Sequence, residues 1–131
     1  MTATALAAKV GLTVAPCHRR LKELEARGVL TGYRAVVDPA AVGLEFQALV
    51  FVTLKDRQNM LTFEQEVERI EQIVEANRLF GEPDFLLKVI AEDLPAYQRF
   101  YDEVLVRLPG VEKLNSTIVM KSLKDGGALP L

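Results

Sequence analysis

The chain has 131 residues, 50% of them apolar and 26% charged, with 8 Gly and 6 Pro, a balance that excludes collagen-like, low-complexity and disordered classes. Its one cysteine, Cys17, allows no intramolecular disulfide and points to a reducing compartment. Apolar runs such as 48–52 and 85–87 stop far short of the roughly 18 residues a membrane span needs, and Lys9 falls where a leader's apolar region would run. The expectation is a cytoplasmic protein without a membrane partner.

The net charge of −2 conceals an asymmetry. Residues 1–38 carry six basic and three acidic side chains, net +3, whereas 39–131 carry ten basic and fifteen acidic, net −5. A basic head on an acidic body suggests a polyanion-binding part joined to one that binds none.

In the head, Thr4–Val10 is Ala-rich with Leu6 and Val10 one turn apart, which predicts a short helix stopped by Gly11. Thr13 then offers a hydroxyl N-cap and Pro16 suits a first turn, so a second helix should run to about Arg27 before Gly28 ends it. Two short helices joined in this way form a helix-turn-helix pattern. At about 100° per residue, Val14, Cys17, Leu21 and Leu24 share an inward face, with Cys17 as core filler. Ala15, Pro16, Arg19 and Glu23 lie opposite, flanked by His18 and Lys22 on one side and Arg20 on the other.

Such a face can enter a major groove, because small residues near the helix start permit close approach. Arg19 could reach a guanine edge and Arg20 and Lys22 the phosphates. The competing reading is a solvated helix whose basic residues pair with Glu23 and Glu25. His18 belongs to the surface or to a phosphate contact, since a metal site would need a second ligand of its kind. After Gly28, residues 29–33 and 34–38 are β-prone pieces that predict a small wing or a strand leading out of the head, closed by Asp38-Pro39.

From Leu44 the period changes. Phe46–Lys55 reads as a strand apolar on both sides, Leu61–Val74 as a helix, and Val74–Phe80 as a second strand. Gly81-Glu82-Pro83-Asp84 makes a turn and Phe85–Ala91 a third strand. Asp93 caps a helix whose Tyr97, Phe100, Tyr101, Val104, Leu105 and Leu108 form an apolar stripe, and Pro109-Gly110 ends it. Val111–Leu123 alternates as a last strand, with Leu114, Ser116, Ile118 and Met120 on one side and Asn115, Thr117, Val119 and Lys121 on the other.

The order βαββαβ gives an α+β chain: an N-terminal winged helix-turn-helix followed by a ferredoxin-like domain of four antiparallel strands with two helices on one face. The expected division is 1–38 for the head, 39–45 for a linker and 46–131 for the ferredoxin-like domain. Leu49, Phe51 and Val119 make the other sheet face too apolar for water, which predicts a second copy packed on it. The body has no His and no Cys, so nucleophile–base pairs and zinc sites built from them are absent, and no catalytic residue, cofactor or metal is expected.

The stretch from Leu6 through Val10-Gly11-Leu12-Thr13, Cys17, Arg19-Arg20, Leu24-Glu25 and Gly28-Val29-Leu30 to Tyr33 resembles the helix-turn-helix of the Lrp/AsnC (feast/famine) transcriptional regulators, with Thr13 where serine is usual. The resemblance continues through Asp38-Pro39 and Val42-Gly43-Leu44, and Gly81-Glu82-Pro83-Asp84-Phe85 stands where that family has a Gly-x-x-Asp-aromatic turn. Family members carry a further helix ahead of Leu6-Ala-Ala-Lys9, so the sequence is expected to be a shortened one whose head binds DNA poorly by itself.

The resemblance implies a regulator that reads double-stranded DNA through Thr13, Ala15, Pro16, His18, Arg19, Arg20 and Lys22. It implies an amino acid or similar small effector near the Gly81–Asp84 turn and the last strand, at contacts between dimers, with Asp84 for its ammonium and Gly81, Ser116 or Thr117 for its carboxylate. Homodimers joined into octamers would follow. The alternatives are a stand-alone effector-sensing module without DNA binding and an enzyme like the sirohaem decarboxylases.

Overall fold

The computed structural model describes residues 14–131. The chain divides between Val37 and Asp38 into two compact units. In the first, helix α1 spans Val14–Ala26. The earlier helix expected over Thr4–Val10 lies outside the described residues. Gly28, at φ +74°, adopts the left-handed conformation that ends α1. Its N–H donates to the Glu25 carbonyl, and the Val29 N–H donates to that of Leu24, a double bond pattern that satisfies two carbonyls at the helix end.

Residues 31–38 form no strand, so the expected wing is not made. The β-prone residues are present, but a ladder needs a partner, and Val29 and Leu30 turn back onto the helix end instead.

The second unit opens with a short 3-10 turn at Ala40–Val42, whose first N–H is accepted by the Asp38 carboxylate. Strand β1 (Phe46–Leu54) leads through a 3-10 turn to helix α2 (Met60–Glu68), then β2 (Ile73–Arg78), β3 (Phe85–Ala91), helix α3 (Leu94–Glu103) and β4 (Val111–Ile118). The four strands make one antiparallel sheet in the order β2-β3-β1-β4. The ferredoxin-like expectation is met.

Ala48, Val50, Val52 and Leu54 of β1 and Phe85, Leu87, Val89 and Ala91 of β3 form the floor of the core. Phe63 and Val67 of α2, Tyr97 and Phe100 of α3, and Leu105 and Leu108 after α3 cover it. Phe63 and Phe85 meet ring to ring at 4.6 Å between centroids. The reverse face, with Leu49, Phe51, Leu86 and Ile90, carries no helix and is half-buried. Burial of β1 is therefore complete on one side only.

Several boundaries differ from expectation: β1 ends at Leu54 and not at Lys55, and β2 spans Ile73–Arg78 and not Val74–Phe80. Helix α2 ends at Glu68 and not at Val74, because tight bonds from the Ile70 N–H to Val67 and from the Ile73 N–H to Ile70 unwind it, and β-branched Ile73 joins the sheet. The last helix stops at Glu103 and continues as a single 3-10 turn, Leu105–Arg107. Strand β4 ends at Ile118 and not at Leu123, since its partner β1 starts at Phe46 and one further bond, from the Val119 N–H to the Gln47 carbonyl, closes the ladder. Asp93 caps α3 as expected, its carboxylate accepting the Ala96 N–H at 2.8 Å.

Candidate functional sites

Helix α1 sorts its side chains by the period that its sequence sets. Cys17 is buried and Leu21 and Leu24 are half-buried, whereas His18, Arg19, Arg20, Lys22 and Glu23 are exposed and Pro16 lies between. Thr13 and the side chain of Ala15 lie outside the described part. Among the described residues no ion pair holds Arg19, Arg20 or Lys22. Glu25, a candidate counter-ion for them, accepts the Tyr33 hydroxyl instead. That bond to a carboxylate pushes the Tyr33 phenol above its usual range. Among the described residues these exposed cations thus stand without an ion-pair partner, as polyanion binding requires.

In the second unit, the turn between β2 and β3 is tied to the end of β1. The Leu79 N–H donates to the Asp84 carbonyl, the Asp84 N–H to the Val52 carbonyl, and the Leu54 N–H to Asp84 Oδ2 at 2.8 Å. Asp84 is half-buried and acts as the clamp of the turn. Gly81 has φ +130°, a conformation that side chains rarely adopt, although a Cβ there would meet nothing within 4 Å. The Glu82–Pro83 peptide is cis.

Beside this turn, on the face without helices, a cavity of about 410 Å³ is lined by Phe51, Thr53, Glu82, Pro83, Lys113 and Asn115. The lining follows from register. Phe51 lies opposite Asn115 and Thr53 opposite Lys113, and paired residues project from the same face. A carboxylate and an ammonium group thus share one concave site with an aromatic floor.

The four residues expected to form the effector site do not come together. Asp84 clamps the turn but does not line the cavity, and Gly81 adjoins the lining residue Glu82. Ser116 pairs with Val50 and projects to the helix side, where its hydroxyl bonds that of Tyr97. Burial there pushes the Tyr97 phenol up. Thr117 pairs with Leu49 on the open face but lies outside the cavity. Adjacent strand residues point to opposite faces, so Ser116 and Thr117 do not face the same side of this sheet. Sequence reasoning missed Lys113, Asn115, Thr53 and Glu82. Alternation did place Asn115 opposite in phase to Leu114 and Ser116, but the pairing of β4 with β1 was needed to bring it beside Phe51.

Residues 47–129 match the family described as Lrp/AsnC ligand binding domain, and residues 1–31 match a winged helix-turn-helix DNA-binding family. The chain is 36% identical over 129 residues to the proline dehydrogenase transcriptional activator of Rhizobium radiobacter, covering 97% of this chain and 83% of that protein. It is 35% identical over 127 residues to the leucine-responsive regulatory protein of Escherichia coli, covering 95% and 77%. Among solved structures, a transcriptional regulator of Neisseria meningitidis in complex with L-methionine superposes with a TM-score of 0.88 at 32% identity, over 99% of this chain and 85% of that one. A feast or famine regulatory protein of M. tuberculosis, also complexed with L-methionine, gives 0.82 at 27% identity, over 98% and 86%.

Proposed function

The chain belongs to the Lrp/AsnC family of transcriptional regulators, and from that premise we propose that it reads double-stranded DNA with the exposed arc of α1 and senses an α-amino acid in the cavity beside the Gly81–Asp84 turn. Its named relatives are regulators and not enzymes. The observation that carries the effector reading is the pairing of Glu82 and Lys113 on one cavity. A zwitterion offers an ammonium group to the first and a carboxylate to the second, while Phe51 and Pro83 receive an apolar side chain. L-Methionine, held by the two regulators above, is therefore the first ligand to titrate by calorimetry. No heat of binding from it or from the other apolar amino acids would remove the cavity from consideration.

For DNA, the cations of α1 divide by role. Arg20→Ala and Lys22→Ala should weaken binding on every sequence and flatten the dependence on log salt by about one each. Arg19→Ala should also relax base preference, at a cost of about 1–3 kcal/mol. Electrophoretic shifts over a salt series read both effects. Three variants with the affinity and salt slope of the unmodified chain would show that α1 is not the reading helix.

The half-buried face of Leu49, Phe51 and Leu86 supports a homodimer packed sheet to sheet, with dimers joining into octamers. A ligand held at such a contact shifts the assembly by its different affinity for the joined and separate states, and thereby DNA occupancy. The place of action is the cytoplasm, where DNA and free amino acids meet. No helix among the described residues is long and apolar enough to cross a membrane.

A further inference from the structure

Two residues of the head, Glu25 and Tyr33, have no part in the DNA reading proposed above, and they are joined to each other. The Tyr33 hydroxyl donates to Glu25 Oε1 across eight residues of sequence. The chain makes this meeting possible by folding back at the end of α1. Gly28 takes its left-handed conformation, and the Val29 and Leu30 N–H groups both donate to the Leu24 carbonyl. Tyr33 is thereby returned to the last turn of the helix.

Glu25 sits where a carboxylate is poorly placed. It belongs to the last turn of α1, near the negative end of the helix dipole. Helical side chains lean toward the N-terminus, and Glu25 follows Lys22 by three residues and His18 by seven, so the three share one exposed stripe. Left unheld, Glu25 has the Lys22 ammonium group as the cation within reach on that stripe. In the structure Tyr33 has the carboxylate, and among the described residues no ion pair holds Lys22. A phenol suits this task because it is a neutral donor whose bond salt screens far less than an ion pair. The carboxylate in turn keeps the phenol protonated above its usual range.

We propose that Tyr33 is a positioning residue for DNA binding: its hydroxyl holds the Glu25 carboxylate off Lys22 and keeps that ammonium group free for a phosphate. This rests on the reading of α1 as the DNA-reading helix and adds to it a residue beyond the helix. With the hydroxyl present, Lys22 meets DNA without first giving up a counter-ion. Without it, a Lys22–Glu25 pair forms in the free chain and has to be broken on binding.

The test is a salt series of fluorescence anisotropy titrations on random-sequence duplex DNA, with the parent chain, Tyr33→Phe, Glu25→Gln and the double variant. Tyr33→Phe is expected to weaken binding about two- to threefold at low salt, the effect of one exposed helical ion pair that must be broken first, with the loss fading as salt screens the pair. Glu25→Gln in the Tyr33→Phe chain should restore the parent's affinity, which a ring needed only for packing would not allow. Spectrophotometric titration of the three tyrosines reads the bond itself, since Glu25→Gln should lower the pH at which one of them ionises. Tyr33→Phe with the parent's affinity and salt dependence, a loss that Glu25→Gln does not restore, or an unmoved tyrosine titration would each overturn the proposal and leave the α1 reading standing. A parent chain that binds no DNA at low salt would overturn both.

Discussion

Asp84→Ala is expected to cost the folded second unit about 2–3 kcal/mol, seen as a fall of several degrees in Tm. The reason is the asymmetry of hydrogen-bond loss. The Leu54 N–H, at the partly buried end of β1, now donates to a carboxylate oxygen at 2.8 Å, and alanine would leave it without an acceptor. The sequence alone invites the opposite expectation, an exposed turn aspartate that could be removed without harm to the fold. Asp84→Asn keeps an acceptor and should recover most of the loss. Equal melting temperatures for the alanine variant and its parent would show that the clamp contributes nothing. Because the turn that Asp84 holds also carries Glu82 to the cavity, Asp84→Ala should weaken ligand binding as a secondary effect, through the position of the turn.

Charge removal in the cavity should act in the reverse pattern, on affinity and not on stability. Glu82→Ala and Lys113→Ala are each expected to weaken L-methionine binding by roughly 10- to 100-fold, the loss of about 1.5–3 kcal/mol that a charge-assisted hydrogen bond carries. Tm without ligand should hold, since neither side chain enters an ion pair among the described residues. Thr117→Val and Ser116→Ala serve as controls whose affinity should match that of the parent, the first lying outside the lining and the second facing the helices. Calorimetry of the four variants decides between the cavity and the four residues read from the sequence. Unchanged affinity in both charge variants, with loss in the two controls, would return the site to Ser116 and Thr117.

The βαββαβ order and the apolar stripe of the last helix are legible in the sequence because burial on a helix imposes a period, whereas β1, apolar on both sides, reads as buried on both and shows its one buried face only in the fold. Phe85–Ala91 was placed to the residue, bounded by a turn on one side and the Asp93 cap on the other. What escaped depended on partners distant in sequence. The 29–38 segment has β-prone residues but, among the described residues, no neighbouring strand to make them a wing. Ser116 and Thr117 looked equivalent as hydroxyl donors until the pairing with Val50 and Leu49 assigned them to opposite faces. Lys113 is one of many surface lysines until Thr53 stands beside it.

Both outer strands of the sheet contain one residue more than their inner neighbours can match. Between Ile73 and Glu75 of β2 the register with β3 slips by Val74, and between Leu54 and Thr53 the register with β4 slips by Glu112. Omitting Val74, the run Ile73, Glu75, Ala76, Asn77, Arg78 alternates without fault, so the irregularity is confined to a single position. Bulges of this kind twist a sheet margin away from the flat geometry that an incoming strand would copy. Open-ended growth along the hydrogen-bonding direction, the route to fibres, is disfavoured where these bulges stand, one on each margin. Crowded at high concentration, copies of the chain are thereby hindered from joining edge to edge at the bulged positions.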